Sequence, residues 1–204
     1  MTDNNAVLIL DDSLLVGKGA ERLCYRHPSD PNLCVKIKYK ERKNKLPQNE
    51  SDYDYFSYLK SRNICWDNIT KCYGWVDTNK GRGLVFGFQA DEDGNALESL
   101  EKMLDGEKIS PQAVLEQIEY LVDYLVENKI LVSDFHLSNM LYNPNINGNC
   151  KIVIIDGVGD RNFFTPIIQM SRCLVKFRIN KKLARCRKLL RNLAFCKIHD
   201  KMSI

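Results

Sequence analysis

The sequence predicts an α+β chain, rich in strands up to about residue 90 and helical beyond it. Three observations carry this reading. Short apolar runs broken by turn residues recur through the first ninety residues, the pattern of strands. A single long repeat of apolar residues at three- and four-residue steps occupies residues 110–129, the pattern of a half-buried helix. Beyond it the composition turns strongly basic: residues 161–204 hold twelve Lys/Arg against one acid, Asp200, while residues 1–160 hold 18 against 25 Asp/Glu. An acidic body of net −7 therefore carries a tail of net +11.

The elements follow in order. AVLIL (6–10) and DSLLVGKG (12–19) read as a strand entering a tight glycine turn, and ERLCYRHP (21–28) as the strand leaving it. HPSDPN is turn chemistry, with two prolines and two Asx residues. NLCVKIKY (32–39) is a further strand in which Val35 and Ile37 alternate with Lys36 and Lys38. QNESDYDYFSYLKS (48–61) has a rough helical face of aromatic and apolar residues at 53, 55, 56, 58 and 59. KCYGWVD and GRGLVFGFQ flank the turn TNKG, ADEDGN is a polar connection, and ALESLEKML is a short helix. In SPQAVLEQIEYLVDYLVENK, Ser110 suits the N-cap, Pro111 the first helical position and Asn128 the end. Val114, Leu115, Ile118, Leu121, Val122, Leu125 and Val126 form its buried stripe. A hairpin then runs through NMLY, the turn NPNINGN and CKIVIID. The tail reads as an amphipathic helix capped by Asn180, with Leu183, Cys186, Leu190, Leu193 and Ala194 on one face and Lys181, Lys182, Arg185, Lys188 and Arg191 covering the rest.

Composition narrows the class. A chain of 204 residues, 44% apolar, has room for one domain or two small lobes. The start MTDNNAVLIL lacks a basic region before its short apolar run, and no stretch approaches the ~18–20 apolar residues of a membrane span. The expectation is a cytoplasmic protein, able to sit peripherally at the inner membrane. The eight cysteines form no C-x-x-C pair and the three histidines lie far apart, so free thiols are expected and a zinc site is not.

The stretch VSDFHLSNMLYNP (132–144) poses the chemical question, because it is too polar for a buried strand and too short for a helix. Asp134 precedes Asn139 by five residues, and KIVIIDG then ends a second apolar run on Asp156. Phosphoryl transfer needs these groups: an acid to orient the attacking hydroxyl, a carboxylate and an amide to hold a metal, a cation on the phosphates and a cover over them. Asp134 suits the base that orients the attacking hydroxyl, and Asn139 and Asp156 suit Mg²⁺. Lys36 suits the α- and β-phosphates of ATP, and Gly17 and Gly19 in VGKGAER suit the cover. Glu50, at the start of the following helix, suits an ion pair with Lys36, although Glu41, Asp52 and Asp54 could serve instead. Each signal alone is weak: a loop aspartate is more often a turn residue, and a strand lysine more often faces solvent. Glycine turn, strand lysine, helix acid, linker, long helix, D-x-x-x-x-N, hairpin and Asp-Gly is, however, the order of parts in the protein-kinase fold. The expected architecture is thus kinase-like and two-lobed. A β-rich N-lobe spans residues 1–90, and a reduced helical C-lobe spans 91–204 with the catalytic loop, the hairpin and the basic helix. An ATP–Mg²⁺ site is expected between the lobes.

GKGAERLCYRHP, LCVKIKY, CYGWVDTN, GRGLVF, DEDGN and SDFHLSNML also resemble the bacterial YrbL family of PhoP-regulatory-network proteins, which is grouped with kinase-like folds. The resemblance runs over roughly residues 12–195 and carries the roles above onto Lys36, Asp134, Asn139 and Asp156. There are departures from the protein-kinase pattern. Val132-Ser133 replaces the His-Arg before the base, which argues against control by a phosphorylated activation loop. Arg22 stands where the third glycine of the loop would be, the Phe of D-F-G is absent, with Val158 following Asp156-Gly157, and only 48 residues follow Asp156. The sequence D-F-H-L-S-N is similar to the D-x-H-x-x-N of small-molecule phosphotransferases, with His136 in the third place. The expected activity is ATP–Mg²⁺-dependent phosphoryl transfer to a non-protein or atypical acceptor. Two readings stand beside it: a pseudokinase that binds nucleotide or a partner without turnover, and a kinase-like scaffold whose basic tail does the binding. For that tail, an anionic membrane surface or a lipopolysaccharide precursor fits better than nucleic acid, because Phe177 and Phe195 are its only aromatic residues beyond Arg172.

Overall fold

A computed structural model describes residues 7–40, 47–143, 151–159, 169 and 171–202. They fall into two units, the first formed by residues up to 64 together with 70–96, the second by 65–69 together with those from 97 onward.

The first unit is a five-stranded antiparallel sheet and one helix. Strands β1 (Leu15–Lys18), β2 (Arg22–Arg26), β3 (Leu33–Lys38), β4 (Cys72–Thr78) and β5 (Gly81–Gly87) lie in the order β1-β2-β3-β5-β4, with helix α1 (Gln48–Ser61) between β3 and β4 in sequence. One face of the sheet is closed by a core of Leu10, Tyr25, Val35, Ile37 and Val85. On the other face Phe56 of α1 meets Phe86 edge-on at 5.4 Å between ring centres. Central strand β3 is therefore buried on both sides, and Lys36 is 7% exposed where simple alternation would have put it in solvent. The run AVLIL also departs from expectation. Its described residues, 7–10, form no strand; instead Leu8 makes a single bridge to Thr78, and Leu10 plugs the core.

Helix α1 is tied to the sheet by polar groups more than by its apolar face. Arg22 Nη1 donates to Asp52 Oδ2 at 2.7 Å and to Asn49 Oδ1 at 2.9 Å, and Asn49 Nδ2 donates to the carbonyl of Lys36 at 2.9 Å. All three side chains are buried. Ions out of water need this kind of mutual satisfaction, since an unpaired buried charge is costly.

The second unit holds helices α2 (Leu100–Asp105), α3 (Pro111–Glu127) and α4 (Arg172–Met202) and the hairpin of β6 (Met140–Asn143) with β7 (Lys151–Ile154). The turn NPNINGN lies outside the described residues. Ser99 caps α2 and Ser110 caps α3 by accepting from Lys102 N and Ala113 N. Pro111 takes the first position of α3, where its missing N–H has no partner to lose. Val114, Ile118, Leu121, Val122 and Leu125 are buried, while Leu115 and Val126 are half-buried at the edges of the stripe. Helix α4 starts at Arg172, eight residues before the expected cap. Asn180 is thus inside the helix, where its side-chain oxygen accepts from Arg187 Nη1 at 2.7 Å. Arg187 also grips Glu119 of α3 with two further donors, at 2.9 and 3.0 Å. The buried face of α4 runs Val175, Ile179, Leu183, Cys186 and Leu190, and Leu193 has left it for solvent. No described helix is long and apolar enough to cross a membrane.

The tie between Arg22 and Asp52 is testable. Arg22→Met leaves the carboxylate buried without its closest cation, and urea denaturation should show a loss of about 3–5 kcal/mol, the usual effect of breaking a buried pair. A loss below about 1 kcal/mol would mean that Asp52 is satisfied without Arg22.

Candidate functional site

The loop 132–139 is built by alternation. Phe135 and Leu137 are buried, and Asp134, His136 and Ser138 between and beside them are exposed. Two apolar anchors therefore hold an otherwise polar segment and turn its charged side chains outward. A 3-10 turn at Leu137–Asn139 then feeds β6.

Three contacts bring the sequence-predicted residues together. Asn139 Nδ2 donates to Asp134 Oδ2 at 3.2 Å. The Asn139 carbonyl accepts from Ile155 N at 3.0 Å, which places Asn139 beside the residue preceding Asp156. Gly157, next after Asp156, has φ +76° and packs directly on Asp134: a Cβ there would lie 2.9 Å from the Asp134 carbonyl oxygen and 3.1 Å from its Cβ. Only glycine meets both demands, a left-handed backbone and no side chain. Ser133 completes the seam, since its N–H and hydroxyl both donate to the Gly157 carbonyl, at 2.8 and 3.0 Å. Asp156 Oδ1 accepts from Gly157 N at 2.7 Å, which fixes the carboxylate at the end of β7.

This arrangement decides how Asn139 presents itself. A carboxylate only accepts hydrogen bonds, so the amide nitrogen faces Asp134 and the amide oxygen remains for another ligand. Asn139 and Asp156 thus offer two hard oxygen donors, the chemistry that suits Mg²⁺, an ion that keeps several of its waters. Among the described residues no group of three or more His, Cys, Asp or Glu is placed to hold a metal, so a protein-only cage for a soft metal is absent there.

The remaining predicted residues lie in the first unit. Lys36 is buried on β3 with its ammonium 4.5 Å from the centre of the Phe86 ring, whereas Lys38 is half-buried. Gly17 lies within β1 and Gly19 opens the β1–β2 turn, where its N–H donates to the Arg22 carbonyl at 2.8 Å. Neither has a positive φ, and a Cβ at either would make only ordinary contacts of 3.5 Å or more. Their value for a backbone approach to phosphate is therefore not forced by the fold. Glu50 is exposed in the first turn of α1 and makes no ion pair with Lys36 among the described residues. Of the four acids considered, Asp52 is the one buried on α1, two residues further along, and it pairs with Arg22. Glu41 lies outside the described residues.

A cavity of about 770 Å³ opens beside the loop, lined by Asp134 and His136 on one side and by Arg178, Lys181, Lys182 and Arg185 of α4 on the other. His136 Nδ1 is 2.9 Å from Ser138 Oγ and 3.9 Å from Glu101 Oε1, so the imidazole is held by its neighbours in the loop and by α2. The sequence reading missed this α4 wall as part of the site. Its signal was present, since residues 178, 181, 182 and 185 follow helical spacing, but starting the helix at Asn180 left Arg178 out and hid the stripe. Cys186 also lines the cavity, and burial pushes its thiol up, away from the reactive thiolate. It is a free thiol, as are Cys24, Cys34, Cys65, Cys72 and Cys173.

The fold and site define a mixed α+β protein in which a loop aspartate pairs with an amide and packs against the glycine that follows a hairpin-end aspartate. Residues 8–191 match the family described as PhoP regulatory network protein YrbL, and the chain belongs to that family. It is 28% identical over 171 residues to a protein of Escherichia coli (strain K12) described as uncharacterized protein YrbL, covering 82% of this chain and 81% of that one. A protein of the same description from Shigella flexneri matches to the same extent.

The Gly157 contact yields a paired test. Gly94 also has a positive φ, +80°, but a Cβ there would meet nothing within 4 Å. Gly94→Ala should show only the backbone penalty, about 1–2 kcal/mol. Gly157→Ala should cost clearly more in urea denaturation, because its Cβ also displaces the Asp134 backbone. Equal losses would mean that the seam relaxes freely.

Proposed function

We propose that the chain is an ATP–Mg²⁺-dependent phosphotransferase of kinase-like organisation that acts on a non-protein or atypical acceptor. The observation that carries this reading is the convergence of Asp134, Asn139 and Asp156 through the Gly157 contact and the Ile155–Asn139 hydrogen bond. The strand order β1-β2-β3-β5-β4 with a helix after β3, and the burial of Lys36 on β3, support it, since this is the set of parts that surrounds the phosphates in protein kinases.

The roles follow from the chemistry of each group. Asp134 accepts a hydrogen bond from the acceptor hydroxyl and orients its oxygen. Asn139 Oδ1 and the Asp156 carboxylate would hold Mg²⁺, which when bound neutralises charge on the β- and γ-phosphates. Lys36 supplies a fixed cation for the α- and β-phosphates. In the transfer, a bond forms between the acceptor oxygen and the γ-phosphorus as the bond from that phosphorus to the β–γ bridging oxygen breaks. The departing ADP keeps the electron pair, and the hydroxyl proton passes to Asp134 and then to water. Ser133 occupies the place where protein kinases carry an arginine before the base, and its hydroxyl is committed to Gly157. Regulation through a phosphate on an activation segment has no anchor at that position, in keeping with a small or atypical acceptor.

Two substitutions separate binding from turnover. Asp156→Asn keeps an oxygen for Gly157 N but removes the charge. It should abolish the Mg²⁺-dependent part of ATP stabilisation in a thermal-shift assay, which in the wild type should correspond to about 2.7 kcal/mol at a hundredfold excess over Kd. An unchanged shift would remove Asp156 from the metal site. Asp134→Asn should leave that shift intact and lower ATP turnover by about 10²–10⁴-fold. Wild-type protein that binds ATP–Mg²⁺ but neither hydrolyses nor transfers it would replace the enzyme reading with that of a nucleotide-binding regulator.

A further inference from the structure

We propose that the cavity beside Asp134 binds a phosphate-bearing molecule through Lys181, Lys182 and Arg185 of α4, and that this anionic group identifies the class of acceptor. The proposal rests on the phosphotransferase reading for the fate of the bound molecule, but not for its binding.

The argument starts with charge. The cavity is lined by four cations, Arg178, Lys181, Lys182 and Arg185, against two carboxylates, Glu101 and Asp134. The signs are segregated: the carboxylates come from α2 and the loop, and the cations from α4. Three other cations of this unit are matched, Lys108 with Glu98, Lys151 with Asp67 and Arg187 with Glu119, whereas Lys188 and Arg191, away from the cavity, are exposed. Lys181, Lys182 and Arg185 are exposed and have no ion-pair partner among the described residues. They also repel one another, because spacings of three and four residues put Lys181, Lys182 and Arg185 on adjoining positions of one helix face. A bound anion would relieve this repulsion.

Geometry makes the cluster a wall rather than a solvated fringe. The neighbouring stripe Ile179, Leu183, Cys186 and Leu190 is buried, and the Arg187 fork on Glu119 fixes the helix against α3. The cations therefore project from a rigid element at set positions. Lys188 and Arg191, equally basic, do not line the cavity. A molecule with a phosphate at one end and a hydroxyl at the other would place the first on α4 and the second at Asp134. Lysine and arginine both suit phosphate oxygens, and arginine adds two-pronged geometry.

A phosphate of this kind can come from a soluble sugar phosphate or from a lipid headgroup, and one experiment separates the sources. Full-length protein, without nucleotide or Mg²⁺, is exposed to a lysine-acylating reagent, and modification at each lysine is read by mass spectrometry. The arms are glucose 6-phosphate, vesicles of phosphatidylcholine containing phosphatidic acid, and vesicles of phosphatidylcholine alone. Protection of Lys181 and Lys182 by at least threefold, with Lys188 unprotected, is expected in the glucose 6-phosphate arm for a soluble acceptor or in the phosphatidic acid arm for a lipid one. The double variant Lys182→Gln/Arg185→Gln should bind the protecting probe at least tenfold more weakly at an unchanged melting temperature, and Lys188→Gln should bind it as wild type does. Equal protection of all three lysines, or of none in either phosphate arm, overturns the proposal. Protection without any nucleotide-dependent transfer keeps the anion site and removes the phosphotransferase reading. ATP turnover without protection removes the anion site alone.

Discussion

The close approach of Gly157 to Asp134 is the constraint on which the candidate site depends. Asp134 sits in a loop and Asp156 at the end of a hairpin strand, and nothing in secondary structure obliges them to meet. The seam obliges them: two donors from Ser133 converge on the Gly157 carbonyl, and the absent Cβ lets the backbones touch. Further out, Val132 bridges Val158 and Gly159, and Gly159 N donates to the Leu131 carbonyl, so the contact continues as a short strip of backbone pairing. The same Ile130–Val132 run is buried beneath it. Hydrophobic burial thus fixes where the loop enters, and backbone pairing fixes which residue of the hairpin it faces.

In the first unit the equivalent constraint is electrostatic. A lysine on a central strand is costly to bury, and Lys36 is buried with its ammonium over the face of Phe86. The helix that covers this face brings Asn49 onto the Lys36 carbonyl and Asp52 onto Arg22. Arg22 stands where the loop pattern of protein kinases has its third glycine. Here that position belongs to β2, and its side chain points into the unit to anchor α1. Arg22 is thus a structural tie between β2 and α1.

Much of this was legible in the sequence, and the failures have physical causes. Helix α3 was recovered with its ends because its signals are local, a serine cap and a first-position proline; α1 was recovered in extent, but of its expected face only Phe56 and Leu59 are buried, and Tyr53 and Tyr58 are exposed. Strands β2 to β5 followed from short runs between strong turn signals. AVLIL misled because a five-residue apolar run looks the same whether it pairs along its length or supplies one core plug, and only the tertiary partner decides. The start of α4 was misplaced because an asparagine mid-helix mimics a cap when its partner, Arg187, is seven residues away. The acid nearest Lys36 in sequence pattern, Glu50, is exposed, while Asp52 is buried, a difference of helical phase that the weak periodicity of α1 does not encode. That Asp134 would lie beside the residue after Asp156 was not legible, since the contact that joins them is a missing side chain at Gly157.

The absence of an arginine before Asp134 and the presence of the α4 cations bear on the same problem, the placement of positive charge around an acidic loop. A cation within the loop would sit on a segment held by two apolar anchors and a few hydrogen bonds. A cation on α4 sits on a helix whose buried face and fork to Glu119 resist movement. Lys181, Lys182 and Arg185 line the same cavity as Asp134 without an ion pair to it among the described residues. This arrangement also frees position 133 to hold the seam through Ser133 rather than through a long charged side chain. A reduced helical unit can in this way keep an uncompensated carboxylate and a set of cations in one cavity. The requirement is that the basic residues lie beside the apolar stripe of the helix and not opposite it, as the spacing of 178, 181, 182 and 185 against 179, 183, 186 and 190 provides.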